Sequence, residues 1–83
     1  MPYEKVTQAN KLCIGTKQTQ RCLEQGAAAE VFVAQDADPR VTQKIVALCG
    51  KMGVQVTRVE SMKQLGKACG IEVGAAVAAI MIE

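Results

Sequence analysis

Three times along the chain a short apolar run leads into a helix-start signal, and each of those helices is then closed by a glycine. Leu12-Cys13-Ile14 runs into Gly15-Thr16. Glu30-Val31-Phe32-Val33-Ala34 passes through a polar stretch into Asp38-Pro39, and Val54 to Val59 leads into Ser61-x-x-Gln64. Thr16, Asp38 and Ser61 can each cap a helix, because a short side-chain oxygen can accept from the N–H groups that a first turn leaves free. Pro39 fits the first helical position, where its missing donor is not needed, and Gln64 completes a capping box with Ser61. Gly26, Gly53 and Gly70 suit the left-handed residue on which helices commonly end.

The segments between these signals have matching periodicities. Thr16 to about Gln25 forms one helix, and Val41, Ile45, Leu48, Cys49 and Met52 recur at helical intervals in the next. Val54 to Val59 alternates valine with Gln, Thr and Arg, the pattern of a half-exposed strand. A short helix is expected over Tyr3 to Lys11. Ala75 to Ile82 is continuously apolar and reads as a buried strand, although Gly74-Ala75-Ala76 leaves a helix open there. Alternating strands and helices imply a three-layer α/β/α sandwich with a central, mostly mixed sheet of about four strands. Strand directions do not follow from the turn signals. At 83 residues, a single domain over residues 1–83 is expected, because half a chain of this size could not bury enough surface to offset its conformational entropy.

Composition removes several function classes. The apolar 49% is mostly aliphatic, and Tyr3 and Phe32 are the only aromatic residues, which leaves no platform for stacking single-stranded bases. A formal charge of +2 is too weak for a general polyanion field, so nucleic-acid contact would rest on a local cluster and a specific shape. Cys13, Cys22, Cys49 and Cys69 are widely spaced, and histidine is absent; reduced, buried thiols are expected rather than a metal site. Without histidine, neither a triad nor a proton shuttle has its parts. Of the acids near element ends, Asp38 reads as a cap and Glu60 as the residue before one, while Asp36 and Glu72 form no evident pair. Gly15 and Lys17 do not make a phosphate loop of the Walker type, which needs a second glycine just before the lysine. The expectation is a protein without catalysis, cofactor or metal. No basic stretch followed by an apolar one marks the first residues, so no secretory signal is expected, and Val73 to Ile82, flanked by Glu72 and Glu83, is shorter than the ~20 residues of a membrane span. A cytoplasmic monomer is expected.

Two segments are candidates for binding. Gly15-Thr16-Lys17-Gln18-Thr19-Gln20-Arg21 places a glycine before a helix N-terminus and directs Lys17, Gln18 and Arg21 outward. Free N–H groups and the positive dipole end favour phosphate, and the Gln18 amide can both donate to and accept from a base edge. The second segment, Leu65 to Ala76, frames Ile71-Glu72-Val73 with glycines. If exposed, Ile71 and Val73 could pack on an unstacked base while Glu72 accepts from an exocyclic amine; apolar tips of this kind more often turn into the core. Lys63 lies in the first turn of the helix before that loop.

Gly15-Thr16-Lys17-Gln18-Thr19, Asp36-Ala37-Asp38-Pro39 and Leu65 to Ala76 together resemble the kink-turn-binding ribosomal protein family, typified by archaeal "L seven Ae" and eukaryotic "L thirty e". The likeness spans nearly the whole chain, and it is greatest with a bacterial, stand-alone branch. The resemblance implies that the second helix docks its tip at the tandem sheared G·A pairs of a bent RNA. A later loop then covers the bulged nucleotides. The family's Gly-Thr falls on Gly15 and Thr16, its polar pair on Lys17 and Gln18, its basic helix residue on Arg21, and its loop on Ile71, Glu72 and Val73. Archaeal members typically carry Asn-Glu in place of Lys17-Gln18 and Lys in place of Arg21, so affinity is expected to be weaker or differently tuned. The implied partner is structured RNA containing kink-turns, in ribosomal RNA or a riboswitch-type leader, with possible ribosome association. The alternative is a protein-interaction module in a ribosome-associated complex that makes no direct RNA contact.

Overall fold

The computed structural model describes residues 2–82; Glu83 lies outside them. The elements run α1 (Pro2–Gln8), β1 (Leu12–Ile14), α2 (Thr16–Glu24), β2 (Ala28–Ala34), α3 (Pro39–Met52), β3 (Gln55–Val59), α4 (Met62–Ala68) and β4 (Val77–Met81). The strands form one mixed four-stranded sheet in the order β1-β4-β2-β3. β4 pairs antiparallel with both β1 and β2, whereas β3 pairs parallel with β2. Strands β1, β2 and β3 therefore all point the same way.

The helices cover both faces of the sheet. On one face α2 and α3 bury Cys22, Leu23, Ile45 and Cys49 against Val31, Val33, Val77 and Ala79. On the other face Val6 of α1 and Leu65 of α4 pack with Phe32, Ala34, Val59 and Ala78. Alternate residues of β2 and β4 thus point to opposite layers, as strand geometry requires. This is the α/β/α sandwich expected from the alternation of strand and helix signals.

Several boundaries differ from the sequence reading. α1 ends at Gln8 instead of continuing to Lys11, and the Lys11 carbonyl accepts from the Met81 N–H (3.0 Å), so this stretch pairs with the sheet. β2 begins at Ala28 rather than Glu30, with a register shift between Ala28 and Glu30 where it meets β4. Val77–Met81 is a strand; its pairing on both sides removes the helical alternative. Cys22 and Cys49 are buried and Cys13 and Cys69 half-buried, in keeping with their reading as small core hydrophobes. No helix among the described residues is long and apolar enough to cross a membrane.

Candidate nucleic-acid interface

Because β1, β2 and β3 are parallel and each leads directly into a helix, the N-termini of α2, α3 and α4 gather at one end of the sheet. β4 begins at the same end, since it runs the other way. The topology thus brings the segment after Gly15 and the loop before Val77 to one end of the molecule, although more than fifty residues separate them in sequence. The direct link is a hydrogen bond from the Gly15 N–H to the Val77 carbonyl oxygen (2.9 Å).

The three helix starts at this end differ in how their free N–H groups are satisfied. At α3 the Asp38 carboxylate accepts from the Arg40 N–H (2.9 Å). At α4 the Ser61 hydroxyl oxygen accepts from the Gln64 N–H (3.1 Å), and the Asp36 carboxylate accepts from the Met62 N–H (2.8 Å). At α2 the residue before the helix is Gly15, with φ 95 and ψ 163, and no side chain caps the first turn. Thr16 is therefore the first helical residue and not the cap that the sequence suggested. Held to Val77, the chain must turn into the helix within one residue, at a φ that only glycine adopts without strain. The N–H groups of the first α2 turn stay free of side-chain partners, at the positive end of the helix.

Around this tip Lys17, Gln18 and Arg21 are exposed, and Gly15 and Thr16 half-exposed. Thr19, Cys22 and Leu23 form the buried side of α2. The three outward arms expected from helical spacing are thus presented together on α2.

The second segment divides within itself. Val73 is 70% exposed and Glu72 is exposed, whereas Ile71 is half-buried and packs against the core layer of α1 and α4. The tip accordingly presents Glu72 and Val73, with Ile71 as its anchor. Its course depends on two glycines. A Cβ at Gly66 would run into the Val73 carbonyl oxygen, and one at Gly74 would press on Met62. The loop therefore lies directly on α4, where the Ile71 N–H donates to the Gly66 carbonyl oxygen (3.0 Å) and the Ala75 N–H to that of Met62 (3.0 Å). Lys63, exposed in the first turn of α4, is next to Met62.

Neither aromatic residue is exposed; Tyr3 is half-buried. Phe32 is fully buried, and the Tyr3 hydroxyl is buried without a hydrogen-bond partner among the described residues. The described residues contain no cluster of His, Cys, Asp or Glu suited to a metal ion.

The sequence pattern of the ribosomal protein L7Ae/L30e/S12e/Gadd45 family matches residues 3–83. The chain belongs to this family. Among its relatives, "RNA-binding protein YbxF" of Geobacillus stearothermophilus is 57% identical over 81 residues, which cover 98% of this chain and 99% of that protein. "Large ribosomal subunit protein eL8" of Halobacterium salinarum is 40% identical over 68 residues, or 81% of this chain and 57% of the relative. The "Giardia lamblia 15.5kD RNA binding protein" has the same fold, with a TM-score of 0.89 and 27% identity over 99% of this chain and 72% of that one.

Within this L7Ae-type framework, the sequence reading missed the role of Asp36. Its carboxylate caps a helix 26 residues away, and no local pattern signals a bond of that span. The regular spacing of Gly66, Gly70 and Gly74 is visible in the sequence but carries little weight there, and only the packed loop shows what Gly66 and Gly74 permit.

Proposed function

We propose that the protein binds structured RNA and holds it in the kink-turn conformation. The observation that carries this reading is the α2 tip, the one helix start at this end of the sheet left uncapped by a side chain, ringed by exposed Lys17, Gln18 and Arg21. Support comes from family membership and from relatives named as RNA-binding proteins.

In this reading Lys17 and Gln18 read the groove edge at tandem sheared G·A pairs, and the helix N–H groups with Arg21 hold the adjacent phosphates. Gly15 and Thr16 let the backbone come close. Val73 and Glu72, positioned by Ile71, cover the bulged nucleotides, and Lys63 adds charge beside that loop. A protein that binds only the bent RNA shifts the equilibrium away from the extended bulge. The chain acts as a single domain and a cytoplasmic monomer without cofactor or catalysis. Its targets are kink-turns of ribosomal RNA or riboswitch-type leaders, including RNA within a ribosome-associated particle.

The test is a titration of a kink-turn RNA carrying FRET dyes on its two arms, with a straight duplex as control at ~0.15 M salt, where diffuse phosphate binding is suppressed. Wild type is expected to bend and bind the kink-turn alone, and a Lys17→Ala/Gln18→Ala variant to lose both effects. An unbent kink-turn, or equal binding to the duplex, would overturn the reading and favour the protein-interaction module.

A further inference from the structure

Beside the α2 tip, an open groove of about 700 Å³ runs between α2 and α3. Thr16 and Gln20, one turn apart, form its α2 wall, and Arg40 and Lys44, also one turn apart, form its α3 wall. Thr16 belongs to the candidate interface, so the groove is continuous with it. Lys17 and Arg21 occupy the neighbouring, exposed side of α2.

The charge of this groove is one-sided. Asp38 is the only carboxylate among its lining residues, and it is already engaged by Arg40 through Nε (3.3 Å) and Nη2 (3.1 Å). α3 itself contains no acidic residue. The carboxylate grips one edge of the Arg40 guanidinium, whose side chain remains 91% exposed. The remaining guanidinium donors are free in a group whose orientation is already set. Lys44 is exposed one turn further along. Two cations at this spacing, one of them pre-oriented, suit successive phosphates of a nucleic-acid strand better than a single anion.

We infer that this groove is a second contact, in which Arg40 and Lys44 hold the phosphodiester backbone of an RNA arm leading away from the α2 tip. The inference rests on the kink-turn reading and assigns it a further surface. Because Arg40 and Lys44 face phosphates and not bases, the groove adds affinity and fixes the path of the arm without adding sequence preference.

The test measures Kd for kink-turn RNA across a salt series for wild type, Lys44→Gln and Arg40→Gln/Lys44→Gln. Each arm of the RNA is also shortened in turn. The double variant is expected to flatten the dependence of log affinity on log salt by about 1.8, at ~0.9 per phosphate on a duplex, and the single variant by about half as much. Discrimination against the straight duplex should persist, and the difference between wild type and variant should vanish when one particular arm is cut back. Lys44 makes no side-chain hydrogen bond or ion pair among the described residues, so its variant tests the groove without disturbing the Asp38 cap. An unchanged slope in both variants, with the Lys17→Ala/Gln18→Ala protein still defective, would remove the groove and leave the α2 site standing. A slope reduced equally on every shortened RNA would mean diffuse attraction and also overturn the inference. Failure of wild type to prefer the kink-turn would instead remove the underlying reading, and the groove with it.

Discussion

Gly66→Ala and Gly50→Ala make the same chemical change in two helices, and the structure predicts opposite signs. At Gly50 in α3 a Cβ meets no atom within 4 Å and the residue is exposed. Alanine there gains only helix propensity, about 0.5–1 kcal/mol. At Gly66 the same gain is set against a Cβ driven into the Val73 carbonyl oxygen and pressed on Gly74. Backbone atoms cannot swing aside as a side-chain end can, so the loop from Ile71 to Gly74 must lift off α4. Overpacking of this kind costs ~1–3 kcal/mol. Loss of the bond from the Ile71 N–H to Gly66 (3.0 Å) adds roughly 0.5–1.5 kcal/mol. The net effect is a destabilisation of roughly 0.5–4 kcal/mol, at ~4–8 °C of Tm per kcal/mol for a chain of this size. Thermal unfolding should therefore place Gly50→Ala above wild type and Gly66→Ala below it, and only Gly66→Ala should also weaken kink-turn binding. A Gly66→Ala protein as stable as Gly50→Ala, with full RNA affinity, would refute the claim that this glycine seats the loop.

Three further substitutions test single features. Val73→Asp, at an exposed tip, should change stability by less than ~0.5 kcal/mol yet weaken kink-turn binding roughly tenfold or more, by removing apolar contact and adding charge beside phosphates; paired urea unfolding and RNA titration separate the two effects. Thr19→Val replaces a buried hydroxyl that has no partner among the described residues with a group of similar shape. It should stabilise the fold by about 1 kcal/mol in urea unfolding, and a loss would reveal an unrecognised partner. The Asp38 carboxyl is held below its ordinary 3.8, first by the Arg40 side chain and then by the Arg40 N–H. Its stabilisation is therefore complete above the unfolded-state value and is lost as pH falls through the lower folded-state one. Asp38→Asn still caps but does not titrate, so its stability deficit against wild type should close on acidification below 3.8, and a deficit independent of pH would contradict the assignment. Burial first, and Cys13 second, raise the Cys22 thiol to about 11; native Cys22 should resist a thiol reagent at pH 8 and react once unfolded, as peptide mapping would show.

What the chain states locally, it states clearly. The Asp38-Pro39 start, the Ser61 cap and the glycine stops at Gly26 and Gly53 act through neighbours a few residues apart, and the structure places each as read. The Val54 to Val59 run does form a strand, from Gln55, but without the alternation: Val54 and Val56 pack in the α2 and α3 layer and Val59 in the α1 and α4 layer. Three strand-to-helix transitions were enough to imply the sandwich, because an amphipathic helix beside a strand has few ways to bury its apolar face. The arms at Lys17, Gln18 and Arg21 were likewise legible, since helical spacing alone sets their direction.

Contacts distant in sequence were decided only by the packed fold. The apolar run before Ile82 could have been helix or strand, and it became the central β4 because β1 and β2 both pair with it. Its antiparallel course brings the Glu72-Val73 tip beside the α2 end of the sheet. Thr16 lost its capping role because Gly15 is tied to Val77, and Asp36 gained one because α4 starts within its reach. Ile71 and Val73, equivalent in the sequence, parted when α4 accepted the loop across Gly66. Local propensity acts within a turn or a strand; strand order, side-chain burial and the meeting of two distant segments at one end of the sheet depend on contacts that exist only after the chain has closed on itself.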